Sequence, residues 1–385
     1  MKLLIFDGNS ILNRAYYAIR ALSTRDGRPT NGIFGFLKLY HKYMNISKPD
    51  MVAVSFDLRE KTFRHQMYAD YKAQRKGMPE DLAAQMEPLK ALLRAMNVTI
   101  LEQAGYEADD IIGTVSRYCT AQGFECDIVS GDRDDFQLAD PGVRILMPVT
   151  RAGASEMEIY DEAAIQEKFG LAPHQLIDVK SIQGDTSDNI KGVPGIGEKG
   201  ALELIRRYGS LDGVYAHLEE IKPALRTKLE NGRDSAYLSY ELAKICREVP
   251  ITLDPNALKV AEFNVSALIA QLEDLELQSI ITLFELKEPE RFEDRSGSAA
   301  GPPIIWIISS KTVSISSRLT AFTPPTRGRC SVFRTVKPCS VRLIKSIPTM
   351  PSPSTAWTLR ASRILTVWWR PTWPIPAINT ICPIF

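Results

Sequence analysis

The sequence predicts an α/β fold in which a mostly parallel sheet is flanked by helices. Three short apolar runs, residues 2–6, 51–56 and 126–129, have the nearly continuous hydrophobicity of strands that are buried on both faces. Helical patterns alternate with these runs, as is typical of a parallel sheet. From about residue 173 to 290 the patterns are helical throughout, so a second, α-helical half is predicted.

The remaining elements follow from the same patterns. Ser10 is predicted to cap the first helix, which follows the first strand. Further helices are predicted over residues 31–44, 80–96 and 161–169, and further strands over residues 98–101 and 143–147. In the helical half, Leu268, Leu272 and Leu275 recur at helical spacing.

Length and composition indicate a globular protein with more than one domain. The chain has 385 residues, of which 44% are hydrophobic and 24% are charged. No apolar run approaches membrane-spanning length, and the first residues fit a strand better than a signal peptide. Cys119, Cys126 and Cys246 lack metal-ligand spacing and suggest buried thiols in a reducing compartment. A cytoplasmic location without a membrane partner is therefore expected.

The composition changes near residue 295. Residues 296–385 contain 11 Lys or Arg and no Asp or Glu, so the first 295 residues carry 36 basic and 46 acidic side chains. This tail could be a basic arm that binds nucleic acid or a disordered linker. Because 90 residues without an acid are hard to obtain otherwise, we favour a non-native or out-of-frame segment. We predict irregular structure over residues 291–385 and rapid proteolysis beyond about residue 295.

Acidic residues follow three of the predicted strands. Asp7 closes the first strand and Asp57 the second, while Asp132 and Asp134 lie just past the strand over residues 126–129. The carboxyl ends of parallel strands meet at one edge of a sheet, where open α/β sheets bind ligands. A single Asp at such a place is usually a turn or cap residue. The repetition favours a shared site.

A second acidic group begins the helix after residue 105. Glu107, Asp109 and Asp110 precede an apolar helical run, so one of them could be an N-cap. Together with the acids at the strand ends, they are too many for caps alone, and crowded like charges destabilise one another. Carboxylate oxygens are the ligands that hard divalent cations prefer. Two such ions would form a centre for phosphoryl transfer.

Residues 58–80 mix basic and aromatic side chains. The basic residues are Arg59, Lys61, Arg64, Lys72, Arg75 and Lys76, and the aromatic ones are Phe63, Tyr68 and Tyr71. Cations that bind phosphates and rings that stack on bases suit a single nucleic-acid strand. An ordinary solvated helical surface is the alternative.

Residues 184–205 combine acids with a glycine-rich turn. Asp185 and Asp188, three residues apart, are predicted to point to one side of a helical turn. The run Gly192-Val-Pro-Gly-Ile-Gly197 then indicates a helix–hairpin–helix, with a helix opening at about Glu198. Backbone N–H groups there, together with Lys199, suit duplex phosphates and would bind without base specificity. A glycine-rich connection without a ligand is the alternative.

These motifs give the chain a specific resemblance. They are Phe6-Asp-Gly-Asn9, Tyr71-Lys-Ala-Gln-Arg75, Gly105-Tyr-Glu-Ala-Asp-Asp110, Ser130-Gly-Asp-Arg-Asp134, and Gly184-Asp-Thr-Ser-Asp-Asn189 with the glycine-rich run that follows. From residue 1 to about 290 the chain resembles the 5′-nuclease (5′-3′ exonuclease) domains of bacterial DNA polymerase I, within the flap-endonuclease family. The resemblance implies a PIN-like nuclease domain over residues 1–172 and a helix-three-turn-helix domain over residues 173–290.

The resemblance also implies a metal site and a substrate. Eight acids would hold two Mg²⁺ or Mn²⁺ ions: Asp7, Glu107, Asp109, Asp110, Asp132, Asp134, Asp185 and Asp188. Asp57 would be an accessory acid, and a K⁺ could lie at the glycine-rich hairpin. The expected partner is DNA with 5′ flaps, nicks or ends, which a monomeric enzyme would cleave in repair and RNA-primer removal.

By the same resemblance, residues 58–80 would form a helical arch around the flap. Lys72 and Arg75 would contact the scissile phosphate and Tyr71 would stack on a base. The other DNA-binding residues would be Arg14, Gly192, Val193, Gly195, Ile196, Gly197 and Lys199.

The chain departs from the family pattern at a few positions. Lys191 and Gly200 replace the usual Pro and Thr, and Asp135 adds a charge where an apolar residue is usual. The match stops near residue 290, so we expect a truncated or frame-disrupted product without polymerase activity. A non-catalytic DNA-binding module and a PIN-like ribonuclease are the rival functions. The first would lack a ligand acid and the second would lack the glycine-rich run, but both features are present.

Overall fold

The computed structural model describes residues 1–151, 154–287, 305–309 and 364–368. The chain divides into two units, Met1–Glu290 and Arg291–Phe385. Within the described residues, none of the helices combines the length and the apolarity that crossing a bilayer would require.

The first unit is built on a six-stranded sheet. Its strands are β1 (Lys2–Asp7), β2 (Met51–Ser55), β3 (Thr99–Leu101), β4 (Glu125–Val129), β5 (Val143–Arg151) and β6 (Ala154–Tyr160). Their order across the sheet is β3-β2-β1-β4-β5-β6, and every neighbouring pair is parallel except the antiparallel pair β5 and β6. The chain thus builds outward from β1 in one direction and from β4 in the other. The topological switch point therefore lies between β1 and β4.

The helices surround this sheet and continue beyond it. They are α1 (Gly8–Ala18), α2 (Asn31–Ser47), α3 (Phe63–Met67), α4 (Glu80–Ala95), α5 (Ala108–Gln122), α6 (Glu162–Phe169), α7 (Gln175–Gln183), α8 (Glu198–Tyr208), α9 (Leu211–Ala216), α10 (Pro223–Asn231), α11 (Arg233–Ala243), α12 (Pro255–Leu258), α13 (Val265–Asp274) and α14 (Gln278–Leu283). A 3₁₀ helix, Asp134–Leu138, follows β4. The predicted α/β class with a mostly parallel sheet is confirmed.

Both faces of the sheet are covered by hydrophobic cores. Leu4 and Phe6 of β1 point into a core that α1, α2 and α4 complete, whereas Leu3 and Ile5 point into a second core that is filled largely by α5. Successive residues of a strand face opposite sides. This arrangement explains why the central strands are apolar at nearly every position.

A third core holds the helical half together. It is formed mainly by residues of α7, α8 and α9, including the fully buried Ile205, and is completed by Leu229 of α10 and Ala236 of α11. The chain then returns to the sheet, where Leu268 and Leu272 of α13 join the first core. The leucine pattern predicted a helix here, but it could not reveal that the helix packs on the sheet rather than within the helical half.

Three local elements differ from the sequence-based expectations. Strand β6 was not predicted, because its sequence lacks the continuous hydrophobicity of the inner strands. Helix α1 begins at Gly8, and its cap is Asp7, not Ser10: the Ser10 N–H donates to Asp7 Oδ1 at 3.0 Å. The predicted arch over residues 58–80 contains only the five-residue helix α3, followed by turns.

In the second unit, the described residues form two strands. These are β7 (Ile305–Ser309) and β8 (Ile364–Trp368), and they pair in antiparallel register. The irregular structure predicted for the rest of residues 291–385 falls on residues outside those described.

The glycine-rich turn before α8 depends on one close backbone approach. Gly192 has a φ of +60°, and a Cβ there would lie 2.3 Å from the Gly184 nitrogen and 2.6 Å from the Ile182 carbonyl oxygen. The backbone is held in place by the Gly192 N–H, which donates to Ser239 Oγ at 3.0 Å. Only glycine fits this position without displacing the backbone of residues 182–184.

We therefore predict that Gly192→Ala lowers the free energy of unfolding by about 2 kcal/mol or more, because the clash is with backbone atoms. Gly197→Ala is the matched control: Gly197 has a φ of −95° and an added Cβ would meet nothing within 4 Å. Its cost should stay under about 1 kcal/mol. Urea unfolding of both variants measures the difference, and equal costs would contradict the account.

Candidate metal centre

The acids at the strand ends meet at the switch point of the sheet. Asp7 closes β1, which pairs directly with β4, and Asp132 follows β4 by three residues. Asp7 is almost fully buried, and its Oδ2 accepts a hydrogen bond from Ser130 Oγ at 3.3 Å. The predicted gathering of these acids at one edge therefore has a simple topological cause.

Helix α5 points its N-terminus at the same place. Glu107 is its N-cap, and Asp109 lies in its first turn. Asp57 lies beside them and accepts a hydrogen bond from the Ala108 N–H at 2.7 Å. A helix N-terminus stabilises nearby negative charge, so α5 makes the collection of acids less unfavourable.

Two groups of three acids approach closely enough to share an ion. In one group, single ligand oxygens of Asp7, Asp109 and Asp135 lie within 4.8 Å of one another. In the other, those of Asp134, Asp185 and Asp188 do so. Both groups offer only carboxylate oxygens, the donors that suit hard divalent cations. The structure thus brings together five of the eight predicted ligands in these groups and adds Asp135.

Glu107, Asp132 and Asp57 line the same crevice, whose volume is about 960 Å³. They stand outside the two groups. The crevice is also lined by Lys72, Arg75 and Arg14, of which Arg14 donates to Thr150 Oγ1 at 3.0 Å. The crevice therefore combines a floor of carboxylates with cationic walls.

Asp185 and Asp188 converge by a different route from the one predicted. They lie in a tight turn closed by two backbone hydrogen bonds between Asp185 and Ile190, at 2.7 and 2.8 Å, and not in a helical turn. The 3-residue spacing places both carboxylates on one side in either geometry. Asn189 has a φ of +59°, in the left-handed region. A right-handed helix cannot continue through such a residue, so the chain turns here.

Burial dominates the electrostatics of the first group. It raises the pKa of Asp7 to about 7, and Asp57 and Asp132 add repulsion. Burial also raises the pKa of Asp109 and of Asp135 well above the usual range. Repulsion from the neighbouring carboxylates raises both pKa values further. Without a cation, these acids therefore favour their protonated forms at a pH where free carboxyls are ionised.

The second group is partly neutralised by Lys180. Burial raises the pKa of Asp134 to about 6, although Lys180 opposes the rise. For Asp185, burial favours a higher pKa, but the Lys180 charge together with hydrogen bonds from Lys180 and Ser187 lowers the pKa to about 2. Lys180 Nζ lies 2.8 Å from Asp185 Oδ2 and also binds Asp134.

Two more cations contact the acids from residues 58–80. Lys72 Nζ lies 2.6 Å from Glu107 Oε1 and 3.9 Å from Asp188 Oδ2, while Arg75 forms an ion pair with Asp188. The Lys72 N–H also donates to the Asp188 carbonyl at 2.9 Å. The segment expected to form an arch is thus folded onto the acids.

Asp110 differs from the other predicted ligands. It is fully buried and forms two hydrogen bonds of 2.8 Å with the guanidinium of Arg64, and it also accepts from the Cys246 N–H at 2.8 Å. Its oxygens are therefore occupied by protein donors, and Asp110 belongs to neither acid group. Arg64 is likewise buried, so it is unavailable to a nucleic-acid strand.

The position of the Tyr71 ring also disagrees with the predicted stacking on a base. Its ring is buried in a small core with Ile190 and Leu242, where it cannot stack on a base. Its hydroxyl donates to Glu107 Oε2 at 3.1 Å. An aromatic residue in a basic stretch gives no sign of whether its ring faces solvent or protein.

The glycine-rich turn leads into α8 as predicted. Gly195, Gly197 and Lys199 are exposed there, whereas Val193 and Ile196 point into the third core. The Val193 N–H donates to the Ile182 carbonyl at 2.7 Å. Val193 and Ile196 therefore anchor the turn, and the exposed groups lie at the N-terminus of α8.

Sequence reasoning missed Lys180 and gave no role to Asp135. Lys180 lies on α7 without any basic neighbour that would mark it, although its position five residues before Asp185 is a weak signal. Asp135 was noted only as an added charge where an apolar residue is usual. In a 3₁₀ helix, however, adjacent side chains diverge, so the pair can face two different groups.

Two family descriptions match successive parts of the chain. The 5′-3′ exonuclease N-terminal, resolvase-like domain matches residues 2–170, and the 5′-3′ exonuclease C-terminal SAM fold matches residues 171–266. Together they span well over half of the 385 residues. By these matches, the molecule is of the nuclease class. The chain belongs to the 5′-3′ exonuclease family.

The chain is similar to several curated DNA polymerases. It is 42% identical to DNA polymerase I of Caldicellulosiruptor bescii over 293 residues, which are 76% of this chain and 34% of that protein. It is 37% identical to DNA polymerase I of Bacillus subtilis over 314 residues, which are 81% of this chain and 34% of that protein. The chain thus spans about a third of the length of the curated relatives it matches.

Solved structures share the fold at lower identity. The bacteriophage T5 D15 flap endonuclease, solved as a pseudo-enzyme-product complex with DNA and metal ions, is 20% identical with a TM-score of 0.52, covering 74% of this chain and 99% of that one. The catalytic core of Rad2 in complex with DNA is 15% identical with a TM-score of 0.51, covering 75% and 92%. These likenesses establish the architecture of the first unit.

The raised pKa values predict how stability depends on pH. Carboxyls whose pKa is higher in the folded state, such as Asp7 at about 7 and Asp134 at about 6, keep protons that the unfolded chain has released. In EDTA, the melting temperature should therefore fall as the pH rises from about 5 to about 8. Asp185 has a lowered pKa, so it affects the pH dependence of stability only at more acidic pH.

Excess Mg²⁺ should flatten this decline, because a bound cation stabilises the ionised carboxylates that repel one another without it. Thermal melts followed by circular dichroism across that pH range, with EDTA and with Mg²⁺, measure both effects. Asp7→Asn should also reduce the slope in EDTA. Parallel curves with and without Mg²⁺ would contradict metal binding at these acids.

Proposed function

We propose that this chain hydrolyses phosphodiester bonds of DNA in a reaction that requires divalent metal ions, as a 5′-3′ exonuclease and flap endonuclease acting in repair and RNA-primer removal. The observation that carries the proposal is that acids of both three-acid groups line one crevice, which is also lined by cations and accompanied by a glycine-rich turn. Membership of the 5′-3′ exonuclease family supports it. Polymerase activity is not part of the proposal.

The metal ions we propose are two Mg²⁺ or Mn²⁺. Asp7 and Asp109 would hold one ion and Asp134, Asp185 and Asp188 the other, with Glu107, Asp132 and Asp57 between or beside them. The donor set is all oxygen, as these ions prefer. When bound, such ions activate water and stabilise the charge that develops on the phosphate. Asp110 supports the site indirectly by fixing Arg64 behind Glu107.

The cations of the crevice have a second role in this proposal. Lys72 and Arg75 now neutralise Glu107 and Asp188, and their side chains are 21% and 49% exposed. Metal ions would take over that neutralisation and leave both side chains able to bind the scissile phosphate. Electrostatic stabilisation of this kind is often the largest contribution to catalysis.

The glycine-rich turn is the proposed grip on duplex DNA. The first N–H groups of a helix have no partner within it, so the exposed N-terminus of α8 suits a phosphate. Gly195, Gly197 and Lys199 would contact the backbone directly, and Gly192, Val193 and Ile196 would hold the shape of the turn. A K⁺ on the exposed carbonyls would have to compete with Lys228, whose Nζ lies 3.0 Å from the Gly195 oxygen.

The proposed partner is DNA with 5′ flaps, nicks or ends, bound by a monomer in the cytoplasm. Arg14, on the wall of the crevice, would contact the strand that enters it. Three free thiols among the described residues agree with a reducing compartment. Without catalysis the same surfaces would make a DNA-binding module, and with RNA as substrate they would make a ribonuclease.

One experiment separates these three functions. A labelled DNA flap and a single-stranded RNA are each incubated with the chain, with Mg²⁺ and with EDTA. We expect Mg²⁺-dependent cleavage of the flap and little cleavage of the RNA. Binding of the flap without cleavage would favour the non-catalytic module, and preferred cleavage of RNA would favour the ribonuclease.

We predict that Asp132→Ala lowers flap cleavage more than about 100-fold while the fold remains intact, because Asp132 lines the crevice near Asp7 and Asp134. Asp185→Ala should have the same effect. Asp140→Asn is the matched control, since Asp140 lies on the same segment but faces Arg247 at 3.7 Å. Cleavage rates are compared with melting temperatures, and full activity of either alanine variant would refute the assignment.

We also predict that Lys199→Ala weakens duplex binding equally for unrelated sequences and lowers the slope of log affinity against log salt by about 1. The reason is that an exposed lysine at this place would bind phosphates and not base edges. Fluorescence anisotropy in EDTA measures binding without cleavage. An unchanged salt slope would contradict a phosphate contact.

A further inference from the structure

Asp135 is a fully buried acid beside the crevice that has no ion-pair partner among the described residues. It is the second residue of the 3₁₀ helix after β4 and is fully buried. Neither of its carboxylate oxygens has a hydrogen-bond partner within the described part of the chain. A buried carboxylate without partners is strongly unfavourable, so its presence calls for a physical explanation.

The neighbouring groups do not supply the missing partner. The Ser130 hydroxyl lies near both Asp7 and Asp135, but its single proton is donated to Asp7 at 3.3 Å, and its oxygen accepts from the Asp132 N–H at 3.0 Å. Lys180 binds Asp134 and Asp185, on the other side. Among the described residues, no lysine, arginine or histidine forms an ion pair with Asp135. The charged neighbours of this carboxyl are therefore other acids, among them Asp7, Asp109 and Asp132.

We infer that Asp135 is a metal ligand of this chain and completes, with Asp7 and Asp109, a three-carboxylate site for one divalent cation. The geometric basis is that the ligand oxygens of all three lie within 4.8 Å of one another, close enough for one ion. The inference rests on the proposed function, because it extends the same metal centre.

A cation at this place accounts for both unusual features of Asp135. It gives the two unpartnered oxygens a ligand, and it neutralises three carboxyls that otherwise repel one another. A structural acid would instead be expected to have a hydrogen-bonded partner, as Asp110 has.

Asp134 and Asp135 are adjacent in the sequence, and this links the two ion sites. Asp134 belongs to the second group of acids and Asp135 to the first. Two adjacent residues of one short helix would therefore each hold a different ion, which fixes the separation of the ions through the backbone. The charge that departs from the usual family pattern thus strengthens one site.

The test is a calorimetric titration of the whole chain with Mn²⁺ alone, in the absence of DNA. We expect the native chain to bind two ions. Asp135→Leu should weaken one of them at least about tenfold, and Asp135→Asn should weaken it less. Asp178→Asn is the matched control: Asp178 is a buried acid outside the crevice that accepts from the Leu211 N–H at 2.8 Å, and its loss should leave Mn²⁺ binding unchanged.

Thermal melts supply a second readout that a purely structural acid would not affect in the same way. In EDTA, Asp135→Leu should melt at a higher temperature than the native chain, since a buried unpartnered carboxyl is removed. In Mn²⁺, its melting temperature should rise by less than that of the native chain. A rise that is equal in both chains would overturn the inference.

The outcomes distinguish this inference from the proposed function. Two ions bound with native affinity by Asp135→Leu would overturn the role of Asp135 alone, leaving the nuclease proposal intact. A native chain that binds no Mn²⁺ would overturn both. Should Asp135→Leu not fold, the Asp135→Asn variant, which keeps the size of the side chain, decides by the same titration.

Discussion

Crowded negative charge at the carboxyl edge of the sheet is the constraint on which the rest of the first unit depends. Asp7 is fixed to that edge by β1, and the strand order places the end of β4 beside it. Burial makes each carboxylate costly, and each neighbour adds repulsion. The surroundings of the crevice can be understood as sources of positive charge or field that make this arrangement tolerable.

Those sources come from distant parts of the sequence. Helix α5 directs its N-terminus at the acids, Lys180 reaches them from α7, and Lys72 from the segment after α3. The helical half is thereby tied to the sheet through charge as well as through packing. A protein that binds cations can use such contacts in their absence, since a lysine and a metal ion satisfy the same carboxylate.

The contrast between Asp110 and Asp135 shows what separates a structural acid from a ligand. Both are fully buried, yet Asp110 is bound by Arg64 and by a backbone N–H, while Asp135 has no donor among the described residues. Removing one partner of a fully paired buried ion is strongly destabilising. Removing a buried acid that has no partner should instead stabilise the fold, and only metal binding should be lost. Partners, not burial, therefore distinguish the two kinds of acid.

The sequence by itself determined the α/β class, the central strands, the sheet edge at which the acids collect and the helix that opens at Glu198. It could do so because hydrophobic periodicity and the parallel arrangement of strands are local consequences of composition and spacing. Only the tertiary structure decided which acids face one another. Asp110, Asp135, Tyr71 and Lys180 could not be assigned beforehand. The direction of a side chain and its partners depend on residues that are distant in the sequence, such as Cys246, which is 136 positions from Asp110. The packing of α13 on the sheet was hidden for the same reason: an amphipathic helix shows that it has an apolar face, but not what covers it.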